Sequence, residues 1–188
     1  MDVSPSLLVI LMFVTILGMG IANLIMGLAA VVNQESSGRP TLVHLGWIAL
    51  LLLWSFNLFW HSLSIAEIED WSFLGFLYIV AGPTLVVFAV SGILPAGPAE
   101  PEPGKRERYL ALRPHFFPLF AMAQAWVVIA DIFLLGGFVL ADLENLFMVG
   151  LAVYLWRTDD YDKHILGVRI AWACFALVAA LYGLGIVH

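Results

Sequence analysis

Residues Leu7 to Val32 read LLVILMFVTILGMGIANLIMGLAAVV, an unbroken run with no charged side chain. Thr15 and Asn23 are the polar side chains in it. As a helix rising 1.5 Å per residue, it extends about 39 Å, more than the roughly 30 Å hydrocarbon core of a bilayer. Within hydrocarbon the backbone must satisfy its own N–H and C=O groups, which leaves helices or closed barrels. A barrel strand alternates apolar and polar residues in short segments. This run does not alternate, so it predicts a membrane-spanning helix. It is also too long, and its flank Met1–Ser6 too poor in basic residues, for a signal peptide.

The same reading, carried outward, finds five more apolar runs. The expected helices are 7–32, 42–64, 71–94, 116–135, 139–156 and 165–187. The fold class is therefore an all-α bundle of six transmembrane helices, one domain over residues 1–188, with a linker at 95–115. The boundary between the fourth and fifth helices is open, because the turn falls either at Gly136-Gly137 or at Ala141–Asn145. Composition agrees: the chain is 62% hydrophobic and 12% charged, against about 25% charged in soluble domains. Its single cysteine, Cys174, precludes an intrachain disulfide and a thiolate metal cluster.

Charge gives the bundle a direction. The eight basic residues are Arg39, Lys105, Arg106, Arg108, Arg113, Arg157, Lys163 and Arg169, all in or near the odd-numbered loops. The second loop carries Glu67, Glu69 and Asp70, and the fourth Asp142 and Glu144. Positive loops stay in the cytoplasm, so both termini and the even loops are expected outside. Pro95–Pro103 is rich in Pro, Ala and Glu, the composition of a solvated linker. Lys105, Arg106, Arg108 and Arg113 then surround Tyr109, Leu110 and Leu112, which reads as an anchor on anionic lipid or a docking site for a partner.

Polar side chains inside the runs are where chemistry is sought, since they are costly in lipid. Asp131 and Gln124 are seven residues apart on one stripe of the fourth helix, and Asn57 and His61 share a face of the second. Glu144 and Asn145 open the fifth at a similar depth. A carboxylate, an imidazole and amides at one level can bind a cation or relay a proton. A buried acid bonded to histidine or asparagine also simply locks helices together, and on sequence alone that structural reading stands ahead of the ion site. His44, His115 and His164 lie near the basic helix ends, where two imidazoles at equal depth can ligate a b-type haem, a weaker expectation. Gly82-Pro83 is a candidate hinge in the third helix. Small residues line one face of the first helix (Gly20, Asn23, Gly27) and of the sixth (Ala176, Ala179, Ala180, Gly183), a pattern that permits close helix approach.

No phosphate loop, HExxH, GxSxG or K⁺-filter signature occurs, and no lysine lies inside an apolar run, which excludes a retinal Schiff base. A non-enzymatic role without cofactor or nucleic-acid partner is expected.

The segments W-S-F-N-L-F-W-H-S-L (54–63), W-S-F-L-G-F-L-Y-I-V-A-G-P-T-L-V-V-F (71–88), G-I-L-P (92–95) and R-Y-L-A-L-R-P-H-F-F (108–117) resemble a group of small, uncharacterised bacterial multipass proteins. The resemblance covers about a third of the chain. It implies a bacterial inner-membrane location and carries over neither an activity nor a functional residue.

The leading functional expectation is a small transporter-like or channel-like protein for protons or a small cation. Asp131 and His61 would be its titrating pair, with Asn57 and Gln124 as ligands. The alternative is a non-catalytic accessory or scaffold subunit that docks another membrane protein or a second copy. A third class is haem-based electron transfer.

Overall fold

A computed structural model describes residues 4–33, 41–68, 70–94, 104–134 and 136–183. Arg39, Glu69, the Pro95–Pro103 linker and the tail beyond Gly183 lie outside the described residues, as does the side chain of Glu67. The described chain is all-α: α1 Pro5–Asn33, α2 Leu42–His61, a 3₁₀ turn Ser62–Glu67, α3 Phe73–Ile93, α4 Lys105–Leu134, α5 Ala141–Trp156 and α6 Tyr161–Gly183. Five of these helices (α1, α2, α3, α4 and α6) are long and apolar enough to cross a membrane. At 16 residues, about 24 Å, α5 is the short one.

Local chemistry sets the helix starts. The Thr41 hydroxyl accepts from the His44 amide (3.2 Å) and that of Ser72 from the Gly75 amide (3.0 Å), so α2 and α3 begin on ordinary N-caps. Asp160 does the same for α6, accepting from the Asp162 amide at 3.0 Å. That cap places the start of α6 at Tyr161 rather than at residue 165. The larger difference is α4, which begins at Lys105 rather than at 116 and runs through Pro114 and Pro118. Charge and proline suggested a linker up to residue 115. Instead Tyr109 is buried, its ring edge-on to those of Tyr161 (5.9 Å) and His164 (5.3 Å), and this packing draws the basic segment into the helix.

The fourth connection resolves at Gly136-Gly137. Their φ angles of 102° and 143° lie in the region glycine tolerates and other residues rarely adopt. The Gly137 amide closes the end of α4 by donating to the Asp131 carbonyl at 3.0 Å.

The helices pack as a closed series: α1 on α3, α3 on α4, α4 on α5, α5 on α6, α6 on α2, and α2 on α1 and α3. Glycines allow the tightest approaches. At Gly92 a Cβ would lie 2.7 Å from the His115 carbonyl oxygen, so α3 and α4 touch backbone to backbone there. Gly20 and Gly27 face Val87 and Leu94, which puts the small stripe of α1 against α3. Asn23 of that stripe is exposed, as are Ala176, Ala179 and Ala180 of α6.

One end of the bundle carries Lys105, Arg106, Arg157 and Lys163 and is called the basic end; the other carries Asp70, Asp142 and Glu144 and is called the acidic end. The exterior between them is apolar, with Leu8 (57% exposed), Met26 (62%), Leu74 (76%) and Phe133 (77%) typical of it. Apolar patches that large need a non-aqueous solvent.

Candidate functional site

Aromatic residues fill the half of the bundle toward the basic end. Trp47 of α2 meets Phe116, Phe117 and Phe120 of α4 with ring centroids 5.8, 5.3 and 5.8 Å apart, mostly edge to face. Trp54 meets Phe120 at 6.0 Å. All are buried, and together they form an aromatic plug in which the Trp47 indole N–H is buried without a hydrogen-bond partner.

Beyond this plug, toward the acidic end, the bundle opens into a cavity of about 80 Å³. That is room for roughly two to three water molecules at about 30 Å³ each. Its polar wall consists of Asn57, His61 and Ser62 at the end of α2, Asp131 on the last turn of α4, Glu144 and Asn145 on α5, and Tyr182 on α6. Phe13, Trp54, Trp126 and Phe175 supply rings from four helices. Asn57, His61 and Tyr182 also belong to a wider groove of about 560 Å³ between α2 and α6, lined by Trp60, Ser64 and Ala179 as well. The cavity therefore has its mouth at the acidic end.

The structure thus brings Asp131, His61, Asn57 and Glu144 together around one space. Gln124 is not among them. It is buried in α4 at 1% exposure, its Oε1 accepts no hydrogen bond, and it does not line the cavity.

Asp142 is a residue that sequence reading treated only as a loop charge. It is wholly buried at 0% exposure. Its Oδ2 accepts from the Val139 amide at 2.8 Å, just ahead of α5. Its Oδ1 is buried without a hydrogen-bond partner, and the carboxyl lies within electrostatic reach of Asp131. His61 and Tyr182 lie within electrostatic reach of the same acids. The signal was present in the sequence: in Asp142-Leu-Glu-Asn145, positions 142 and 145 share a helix face.

Among the described residues no ion pair involves these acids. Among the described residues the ion pairs are Arg113–Asp159 and Lys163–Asp160, both at the basic end. No group of three or more His, Cys, Asp or Glu among the described residues can hold a metal ion.

The candidate hinge has a packing role. A Cβ at Gly82 would run into the Trp126 indole, so the glycine makes room for that ring. Trp126 Nε1 donates to the Tyr78 carbonyl at 2.8 Å, and the Tyr78 hydroxyl donates to the Trp126 carbonyl at 3.1 Å. These reciprocal bonds lock α3 to α4 beside Pro83 and form one wall of the cavity.

The histidines at the basic end are engaged with the protein. A carbonyl can only accept, so His44 Nε2 donates to Ile93 O (2.7 Å) and His164 Nε2 to Thr158 O (3.0 Å). His164 Nδ1 then accepts from the Tyr109 hydroxyl at 3.0 Å. His115 is exposed. Of the basic candidates, Lys105 and Arg106 are exposed, with Arg106 over the Tyr161 ring at 4.9 Å, and Arg108 and Arg113 are half-buried.

No protein-family model, curated protein or solved structure matches this chain.

Proposed function

We propose that the chain is a six-span membrane protein of the bacterial inner membrane. In this reading the basic end is cytoplasmic, and the protein takes up protons or a small cation from the opposite side as a small transporter-like or channel-like protein. Support for the sixth span comes from connectivity. The chain leaves α4 at the acidic end and enters α6 at the basic end, and α5 packs along both. A helix of about 24 Å is accommodated by modest local thinning of the bilayer. The orientation rests on the distribution of the eight basic residues, and the bacterial location on the aromatic segments noted above.

One observation carries the functional reading. Asp131 and Glu144 line a cavity that opens toward the acidic end, and no ion pair among the described residues involves them. Uncompensated negative charge in an apolar surround is costly. Among the described residues no ion pair supplies a counter-charge, which leaves it to come from solution. Reconstitution into liposomes tests this: wild type should conduct or exchange protons or a monovalent cation, and Asp131→Asn should abolish the flux. Flux that survives the substitution unchanged removes the cavity from the mechanism; wild-type liposomes without flux sink the transport reading.

A second reading, an accessory subunit, draws on the exposed alanines of α6. Stoichiometric co-purification of a different membrane protein in mild detergent would favour it.

A further inference from the structure

We propose that the cavity's ligand is a small organic ammonium ion rather than a metal cation. The inference rests on the reading of the cavity as a cation site and names the class of cation it selects. A bare metal cation needs a shell of several converging oxygens, six to eight for calcium. Among the described residues no group of three or more His, Cys, Asp or Glu offers one. An ammonium group asks for less: one or two carboxylate acceptors for its N–H groups or its charge, and aromatic faces around its carbons. The cavity combines these. Asp131 and Glu144 enter its wall from α4 and α5, and Trp54, Trp126, Phe175 and Tyr182 surround them from α2, α4 and α6.

Size sets a limit as well, since about 80 Å³ takes the place of roughly two to three waters at about 30 Å³ each. Methylammonium fits within that volume, and tetramethylammonium tests its upper limit. The groove shared at Asn57, His61 and Tyr182 gives such an ion a route from the acidic end, while the Trp47–Phe120 plug stops it from passing on in this conformation.

Purified full-length protein in mild detergent is titrated at constant ionic strength with methylammonium, tetramethylammonium, Na⁺, K⁺ and neutral tert-butanol. Tryptophan fluorescence, which includes Trp54 and Trp126, and thermal melting are the readouts. Saturable binding of an ammonium ion, weakened roughly tenfold or more in Asp131→Asn or Glu144→Gln, is expected. Tert-butanol has a similar shape but no charge and should not saturate. Saturation by tert-butanol equal to that of tetramethylammonium overturns the inference in favour of a merely apolar pocket. Saturation by Na⁺ or K⁺ alone, or proton flux in liposomes without ammonium binding, overturns the inference but leaves the cation site standing. Absence of any saturable cation and of any flux overturns both. The ligand series needs no variant, so a misfolded substitution does not blunt the test.

Discussion

Asp142 does two jobs with one carboxyl. One oxygen holds the Val139 amide just ahead of α5, and the other is buried without a hydrogen-bond partner, within electrostatic reach of Asp131. These jobs separate by substitution. Asp142→Ala loses the bond to Val139 and should lower stability by about 1 kcal/mol. Asp142→Asn keeps an acceptor for Val139 and turns an amide donor toward Asp131, so its melting temperature in detergent should equal or exceed that of wild type. A lower melting temperature for the asparagine variant would show that the two carboxyls are not short of a donor. Gly82 offers a second single-residue test. Because a methyl there collides with the Trp126 indole, Gly82→Ala should cost about 1–3 kcal/mol, as overpacking typically does. Adding Trp126→Phe should recover part of that loss, a coupling that a double-mutant cycle measures.

Helix approach depends on where glycine sits along an element. Gly92 lies against the His115 backbone, which cannot give way, whereas Gly150 on α5 has nothing within 4 Å of a built Cβ. Gly92→Ala should therefore lower the melting temperature clearly, while Gly150→Ala should leave it unchanged or raise it slightly, since alanine is favoured over glycine in helix interiors by up to about 1 kcal/mol. Equal effects would mean that α3 and α4 are not in backbone contact. The start of α4 shows how tertiary packing outweighs local signals. Lys105 to Pro114 reads as charged linker, yet burying Tyr109 beside His164, with the 3.0 Å bond between them, extends the helix by two to three turns. Tyr109→Ala should loosen that extension, seen as increased proteolysis between Lys105 and Arg113 with the rest of the bundle intact.

The whole molecule is organised as an apolar exterior, an aromatic plug toward the basic end and a polar cavity toward the acidic end. The proposed six spans, with the basic end in the cytoplasm, predict a definite labelling pattern. In a Cys174→Ala background, single cysteines at Ser72 and Gly137 should react with an impermeant maleimide from the outside. A cysteine at Thr158 should react only after the inner face is opened. Gly137 and Thr158 labelling from the same side would mean that α5 does not cross.

The apolar runs by themselves determined that the chain is a bundle of long helices, because hydrocarbon length and backbone hydrogen bonding leave no other choice for uncharged stretches of this size. They also located Asp131, His61, Asn57 and Glu144 at one level, since depth follows directly from position along a helix. What only the tertiary structure decided is which of these side chains turn toward one another. Gln124 shares the stripe of Asp131 but is enclosed elsewhere, while Asp142, read as a loop charge, is buried behind the cavity wall. Angle around a helix has meaning only once the neighbouring helices are in place. Here those positions are set by glycine contacts and by the edge-to-face rings of Trp47, Trp54 and the α4 phenylalanines, contacts between residues far apart in the chain.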